Sequence, residues 1–211
     1  MTKTYVALTA AVVAALLGGT ALYILRPGES DALAECRGGQ IAGAKIGGPF
    51  ELIDETGTTV TDADVLIKPS LVYFGYTFCP DVCPLDNARN AEAVDILETR
   101  GLEVQPVFIS IDPERDTPET LADFTDNLHP RMIGLTGTPE QVKAASQAYK
   151  TFYKKQDDGD PDYYLIDHST STYLTLPGIG FVYAFRREDT PEQMADRVAC
   201  FVKNAPAAQK N

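Results

Sequence analysis

Residues 70–84 read SLVYFGYTFCPDVCP, and the fold follows from how this stretch changes character along its length. Ser70–Tyr76 is a short apolar and aromatic run of strand length, which predicts a buried β-strand. It runs directly into two cysteines, Cys79 and Cys83, spaced C-x-x-x-C. Beyond them, Asn87 to Arg100 repeats Ala88, Ala91, Val94, Ile96 and Leu97 on a helical period, and Gly101 ends the helix. Pro84 is tolerated only in a first turn, so the helix starts near Asp81 to Cys83. Both sulfurs then lie where the carboxyl end of a strand meets a helix N-terminus, the place where open α/β sheets build their sites. Free N–H groups and the partial positive charge there favour thiolate over thiol. If the segment is helical, i and i+4 bring the two sulfurs to one side.

Outward from this junction the chain alternates. Glu103–Asp112 (EVQPVFISID) predicts a strand. Thr117-Pro118 opens a second helix, with threonine as N-cap and proline in the first turn. RMIGLTG (131–137) predicts a short strand, and Thr138-Pro139 starts another helix. Tyr149–Lys155 and Asp162–His168 read as strands around the acidic turn Asp157–Pro161. Residues 172–186 read as a hairpin turning at Pro177-Gly178, and Thr190-Pro191 opens the last helix. Before the cysteines, residues 47–61 (GGPFELIDETGTTVT) predict another hairpin, turning at Glu55-Thr56-Gly57. Strand and helix alternation implies parallel pairing through crossovers. The order is that of an α/β, thioredoxin-like domain, here with an added N-terminal β-hairpin and an inserted segment between its halves.

Tyr5 to Leu25 contains no charged residue, a run of 21, against the roughly 20 apolar residues a bilayer core requires. It exceeds the usual signal-peptide core and reads as one transmembrane helix, although Ala32-Leu33-Ala34 leaves a cleaved signal as an alternative. Either reading exports the domain. The expected organisation is a membrane anchor over 1–26, a linker over 27–45, the folded domain over 46–205 and a flexible tail over 206–211. The net charge is −12, and because Lys3 and Arg26 are the only charges in the first 26 residues, the remainder carries −14. Such an acidic domain has no electrostatic footprint for nucleic acid.

Outside the cytoplasm four cysteines are free to form disulfides. Cys36 and Cys200 lie near opposite ends of the domain, and an even cysteine count predicts that they are bridged. Cys79 and Cys83 have two open readings: a structural disulfide, or a soft-metal site for an ion such as Cu(I). A two-thiolate metal site needs a third ligand, and the chain has two histidines. His168 ends a predicted strand and reaches the sulfurs if that strand neighbours the one leading to Cys79. His129, before Pro130 at a helix end, reads as a C-terminal cap or an exposed residue. Asp81 and Asp167 are candidate carboxylates for orienting the loop or the imidazole, or else solvated turn residues.

Taken together, YFGYTFCPDVCP, SIDPERDTPE, HPRMIGLTGT, DHSTSTYLTLPGIG and GGPFELIDETG resemble the SCO/SenC family of copper-binding proteins, over about Gly47 to Lys203. The resemblance implies a thioredoxin-like fold and copper, Cu(I) or Cu(II), held by Cys79, Cys83 and His168. It implies a role in assembling the dinuclear copper centre of cytochrome c oxidase subunit II. The expected protein is a copper chaperone of the bacterial inner membrane, single-pass, with its soluble domain in the periplasm. Its partners would be that subunit and other periplasmic copper chaperones or thiol reductants. Two rivals stay open. One is a thiol–disulfide oxidoreductase in which Cys79 attacks and Cys83 resolves. The other is a redox or copper sensor.

Overall fold

The computed structural model describes residues 5, 13, 16–20, 33–38, 45–156 and 163–206. The chain divides into two units, Met1–Ala32 and Leu33–Asn211. In the first, Tyr5, Val13 and residues 16–20 are helical, and the rest of the expected anchor lies outside the described residues. Among the described residues no helix is long and apolar enough to cross a membrane. Most of the 27–45 stretch and most of the 206–211 tail also fall outside them.

The second unit starts with α1 (Ala34–Arg37), within the stretch expected to be linker. This turn is folded against the domain, since Leu33 and Cys36 are buried in a core cluster with residues of the C-terminal helix. The remaining elements are β1 (Glu51–Asp54), β2 (Thr59–Thr61), α2 (Asp62–Val65), β3 (Ser70–Gly75), α3 (Val82–Thr99) and β4 (Gln105–Ser110). Then come α4 (Pro118–Asp126), β5 (Ile133–Thr136), α5 (Pro139–Ala148), β6 (Tyr153–Lys155), β7 (Ile166–His168), β8 (Thr172–Leu176), β9 (Gly180–Phe185) and α6 (Pro191–Asn204).

Seven strands form one sheet in the order β2-β1-β5-β4-β3-β8-β9. β3, β4 and β5 run parallel, with Val72 opposite Val107 and Phe108 opposite Gly134. The N-terminal hairpin joins antiparallel through β1 on β5, and the C-terminal hairpin through β8 on β3. All six residues of β3 are buried, the pattern of a central strand covered on both faces. One core cluster gathers Val72, Phe74, Leu121, Leu135 and Val142 around α4 and α5. The other gathers Leu71, Val94, Leu97, Leu174 and Val198 around α3 and α6. Each fully buried leucine contributes about 1.5–3 kcal/mol.

The three threonine-proline helix starts form as expected. Thr117, Thr138 and Thr190 accept from the backbone N–H groups of Thr120, Gln141 and Gln193 at 3.3, 3.2 and 3.3 Å. Gln141 and Gln193 return the bond to the cap backbone, so both pairs are capping boxes. Gly101 ends α3 at φ 72°, a conformation glycine adopts at no steric cost, with Leu102 N–H bonding to Leu97 O at 3.0 Å.

α3 begins at Val82, within the expected Asp81 to Cys83 start. Two expectations change. The buried face of α3 includes Asp86, Asn87 and Asn90 while Ala88 is exposed. These polar groups are paired: Asp86 accepts from Tyr73 Oη at 3.0 Å, Asn87 donates to Cys83 O at 2.8 Å, and Asn90 accepts from Thr172 at 3.0 Å. Hydrogen bonding removes the penalty that would keep such residues out of an interface. Second, β7 does not neighbour β3. It pairs with β6 in a separate two-stranded ribbon, with Tyr153 opposite His168.

Candidate metal centre

Cys79 sits in the loop after β3, and Cys83 is the second residue of α3. The two are therefore not brought together as i and i+4 on one helix. The loop folds over the helix N-terminus, so that the free N–H of Cys83 points at Cys79 Sγ at 3.4 Å. The Asp81 backbone N–H also favours the ionised form of this sulfur. These are the orphan donors that every helix start leaves.

His168 Nε2 lies 3.4 Å from Cys83 Sγ. The two sulfurs and one imidazole nitrogen all fall within 4.8 Å of one another. Both cysteines are free and buried, and the imidazole is half-buried. The other ring nitrogen, Nδ1, faces the Ser169 carbonyl at 2.9 Å. A carbonyl acceptor there fixes a proton on Nδ1 and orients Nε2 toward the sulfurs.

The sulfurs differ electrostatically. The Cys83 thiol donates to Cys79, and with His168 and two backbone N–H groups it lowers the Cys79 pKa to about 3 against the opposing effect of burial. Cys83 moves up, because its proton is held on the Cys79 thiolate and its own sulfur is buried. The metal-free reduced site is thus one thiolate, one thiol and one imidazole. Thiolates and imidazole are the donors that Cu(I) prefers.

Both candidate carboxylates are exposed. Asp167 alternates away from His168 along β7 and accepts from Gln156 at 2.8 Å. Asp81 precedes α3 without a side-chain cap and reaches the site through its backbone N–H. Among the described residues no hydrogen bond joins either carboxylate to the cysteines or the imidazole. His129 is buried rather than exposed, with Nε2 3.3 Å from Asp95 and Nδ1 accepting from Arg131 N–H at 3.1 Å. It is a satisfied core histidine.

Several supporting residues went unread in the sequence. Gly75 has no room for a side chain: a Cβ there would lie 2.8 Å from Cys83 Sγ and 2.8 Å from the Tyr73 ring. Tyr73 and Tyr76 present edges to the imidazole, with centroids 6.2 and 5.8 Å away. Tyr76 Oη accepts from Ile166 N–H at 3.2 Å, which ties the ribbon to the end of β3. Asp116, fully buried, accepts from Thr77 N–H at 3.1 Å, from Thr77 Oγ1 at 2.6 Å and from Ser110. It thereby fixes the residue two before Cys79. Its burial raises its pKa against those hydrogen bonds. The signal available was the DPERD segment, whose carboxylates come directly after a buried strand.

Elsewhere, Cys36 and Cys200 are joined in a disulfide with Cα atoms 5.7 Å apart. Arg197 donates to the Cys36 carbonyl at 2.6 Å beside it.

The SCO1/SenC family model matches residues 38–203. The chain belongs to the SCO1/SenC family. It is 57% identical over 197 residues to protein SenC of Rhodobacter capsulatus, a match covering 93% of this chain and 88% of that one. The crystal structure of yeast Sco1 with copper bound is similar at a TM-score of 0.73 and 35% identity, over 78% of this chain and 92% of that one. Arabidopsis thaliana ScoI with copper bound is similar at a TM-score of 0.69 and 39% identity, over 75% and 99%. The α/β architecture of this SCO1/SenC chain is therefore the thioredoxin-like fold of the Sco structures, with the cysteine loop and the histidine ribbon on adjoining segments.

Proposed function

We propose that this protein is a copper chaperone that carries copper on Cys79, Cys83 and His168. It would deliver that copper to the dinuclear site of cytochrome c oxidase subunit II, from a periplasmic domain held at the bacterial inner membrane by its N-terminal segment. The observation that carries the reading is the convergence of two sulfurs and one imidazole nitrogen within 4.8 Å, with no fourth Cys, His, Asp or Glu ligand in the group among the described residues. Relatives solved with copper bound support the choice of metal. Soft thiolates and imidazole suit Cu(I), and three protein ligands leave a coordination position for a ligand from an acceptor. Transfer then proceeds by ligand exchange without a free ion. The Cys79 thiolate needs no proton removed before it binds, whereas Cys83 releases its proton on binding.

The test is direct transfer. Cu(I)-loaded protein is mixed anaerobically with the metal-free, reduced copper domain of subunit II, a one-electron oxidant is then added to convert transferred Cu(I) to the coloured oxidised centre, and the acceptor's visible absorption is followed. Growth of that absorption with wild type and its absence with Cys83→Ala are expected. No transfer from wild type refutes the chaperone reading.

A second reading has its own observation, the thiolate of Cys79 beside the protonated Cys83. In a thiol–disulfide exchange Cys79 Sγ attacks a partner disulfide and expels one partner thiolate. Cys83 then loses its proton and attacks Cys79 Sγ. The second partner thiolate leaves, with two electrons passed to the partner and a Cys79–Cys83 disulfide left behind. His168 separates the two: copper carriage depends on it, and the exchange reaction does not consume it.

A further inference from the structure

His168 reaches the sulfurs from a ribbon that is not strand-paired to the main sheet. Among the described residues β6 and β7 pair three residues each, and only with one another. Such a short two-stranded ribbon is marginal by itself. Something other than strand pairing keeps the imidazole in place.

Tyr164, two residues before β7, is the buried anchor of the ribbon. Two cations lie over its ring, Arg115 Cζ at 3.6 Å and Lys155 Nζ at 3.5 Å from the centroid. Its hydroxyl donates to Asp112 Oδ1 at 2.6 Å. Each cation is tied in turn, Arg115 to Asp112 and Lys155 to Glu114 at 3.0 Å. The same Arg115 guanidinium lies 4.9 Å from the ring centroid of Phe78, next to Cys79, and 5.8 Å from that of Tyr76. One side chain therefore contacts the cysteine loop and the histidine ribbon at once. Cation–π contacts contribute about 0.5–2 kcal/mol each, the upper end when desolvated.

We infer that Tyr164 and Arg115 form a clamp that holds the His168 arm against Cys79 and Cys83, and that this clamp sets how tightly the third ligand grips copper. Neither residue touches the metal position, so both are positioning residues. The inference rests on the copper-carrier reading. It adds a control point for release: a partner that draws Arg115 or the ribbon away opens the site from the histidine side while both sulfurs stay bound.

The test uses the full chain as wild type, Tyr164→Ala, Tyr164→Phe, Arg115→Met, His168→Ala and the double variant Tyr164→Ala/His168→Ala. Cu(I) affinity is measured against a competing chelator, and nitrogen hyperfine coupling is read from the Cu(II) form. In the reduced metal-free protein, amide exchange is compared between residues 163–169 and β3. Tyr164→Ala is expected to weaken Cu(I) binding about 10- to 100-fold, the range for partners that orient a metal-bound histidine. It should also diminish nitrogen coupling and speed exchange over 163–169 alone. Tyr164→Phe, which keeps the ring under both cations, retains most of the affinity, and Arg115→Met takes the place of Tyr164→Ala should the latter fail to fold. The double variant binds as His168→Ala does. Wild-type affinity and exchange in both Tyr164→Ala and Arg115→Met, or a double variant weaker than His168→Ala by the full Tyr164→Ala factor, overturns the clamp. No loss in His168→Ala overturns the ligand reading itself, and the clamp then stands or falls on the exchange comparison.

Discussion

Gly75→Ala places the smallest possible side chain against the site. The added Cβ would meet Cys83 Sγ at 2.8 Å, Tyr73 Cε1 at 2.8 Å and Phe108 Cε2 at 3.0 Å. Non-bonded heavy atoms settle at about 3.5–4.0 Å, so each contact is short by about 1 Å. The strand cannot retreat. Gly75 is paired with Ser110 in β4, and its carbonyl accepts from Ile111 N–H at 2.8 Å. Tyr73 is held through its hydroxyl by Asp86, so much of the displacement falls on the Cys83 sulfur. Overpacking of this kind costs about 1–3 kcal/mol. Urea unfolding of the reduced, metal-free variant should show that loss in the midpoint with the slope unchanged. Chelator competition should show Cu(I) affinity lowered about tenfold or more, as for other residues that orient ligands. A variant as stable as wild type, binding copper equally well, would refute the argument that the absence of a side chain at residue 75 is what lets the sulfur reach its place.

Other perturbations test other links. Lowering the pH of the reduced protein from 8 to 5 leaves an ordinary thiol, near 9.0, ionised to on the order of one part in ten thousand, whereas Cys79 at about 3 stays thiolate. Its alkylation rate should therefore stay nearly flat over that range, and a tenfold fall per pH unit would contradict the assignment. The sign for stability comes from proton counts. Between about 3 and 9 the unfolded chain binds the Cys79 proton and the folded chain does not, so the pair's contribution rises with pH. Above 9 the folded chain keeps the Cys83 proton that the unfolded chain loses, so the contribution falls again, and urea midpoints of reduced wild type against Cys79→Ser/Cys83→Ser should peak apart near pH 9. Asp116→Ala strands the Thr77 amide and hydroxyl and the Ser110 hydroxyl, and should cost about 2–4 kcal/mol by urea unfolding. Opening the Cys36–Cys200 bridge, whose separation is 164 residues, with Cys36→Ser/Cys200→Ser removes up to about 5 kcal/mol in the chain-entropy model and should lower Tm without changing Cu(I) affinity.

The strand-to-helix order was readable because its punctuation is local. Thr117-Pro118, Thr138-Pro139, Thr190-Pro191 and Gly101 each state a helix boundary in two residues or one. Cys79, Cys83 and His168 stood out by residue type. The features that escaped depend on tertiary partners. The inner face of α3 carries Asp86 and Asn90 ahead of its apolar residues because Tyr73 and Thr172 supply hydrogen bonds from other elements, which periodicity does not register. His129 is buried because Asp95, on another helix, meets its ring. Asp167 was open to two readings, orienting group or solvated residue; strand alternation turns it away from His168, and Ser169 supplies the acceptor. Gly75 and Asp116 act through close approach and burial, and neither leaves a spacing signature.

Three side chains, Cys79, Cys83 and His168, are proposed to hold one copper ion, with no fourth Cys, His, Asp or Glu in the group among the described residues. X-ray absorption of the Cu(I)-loaded full chain tests it most directly, with wild type and His168→Ala side by side. Two sulfur neighbours and one imidazole nitrogen are expected in wild type, with loss of the imidazole contribution alone in His168→Ala. A sulfur-only shell in wild type, or an imidazole signal that survives His168→Ala, would contradict it.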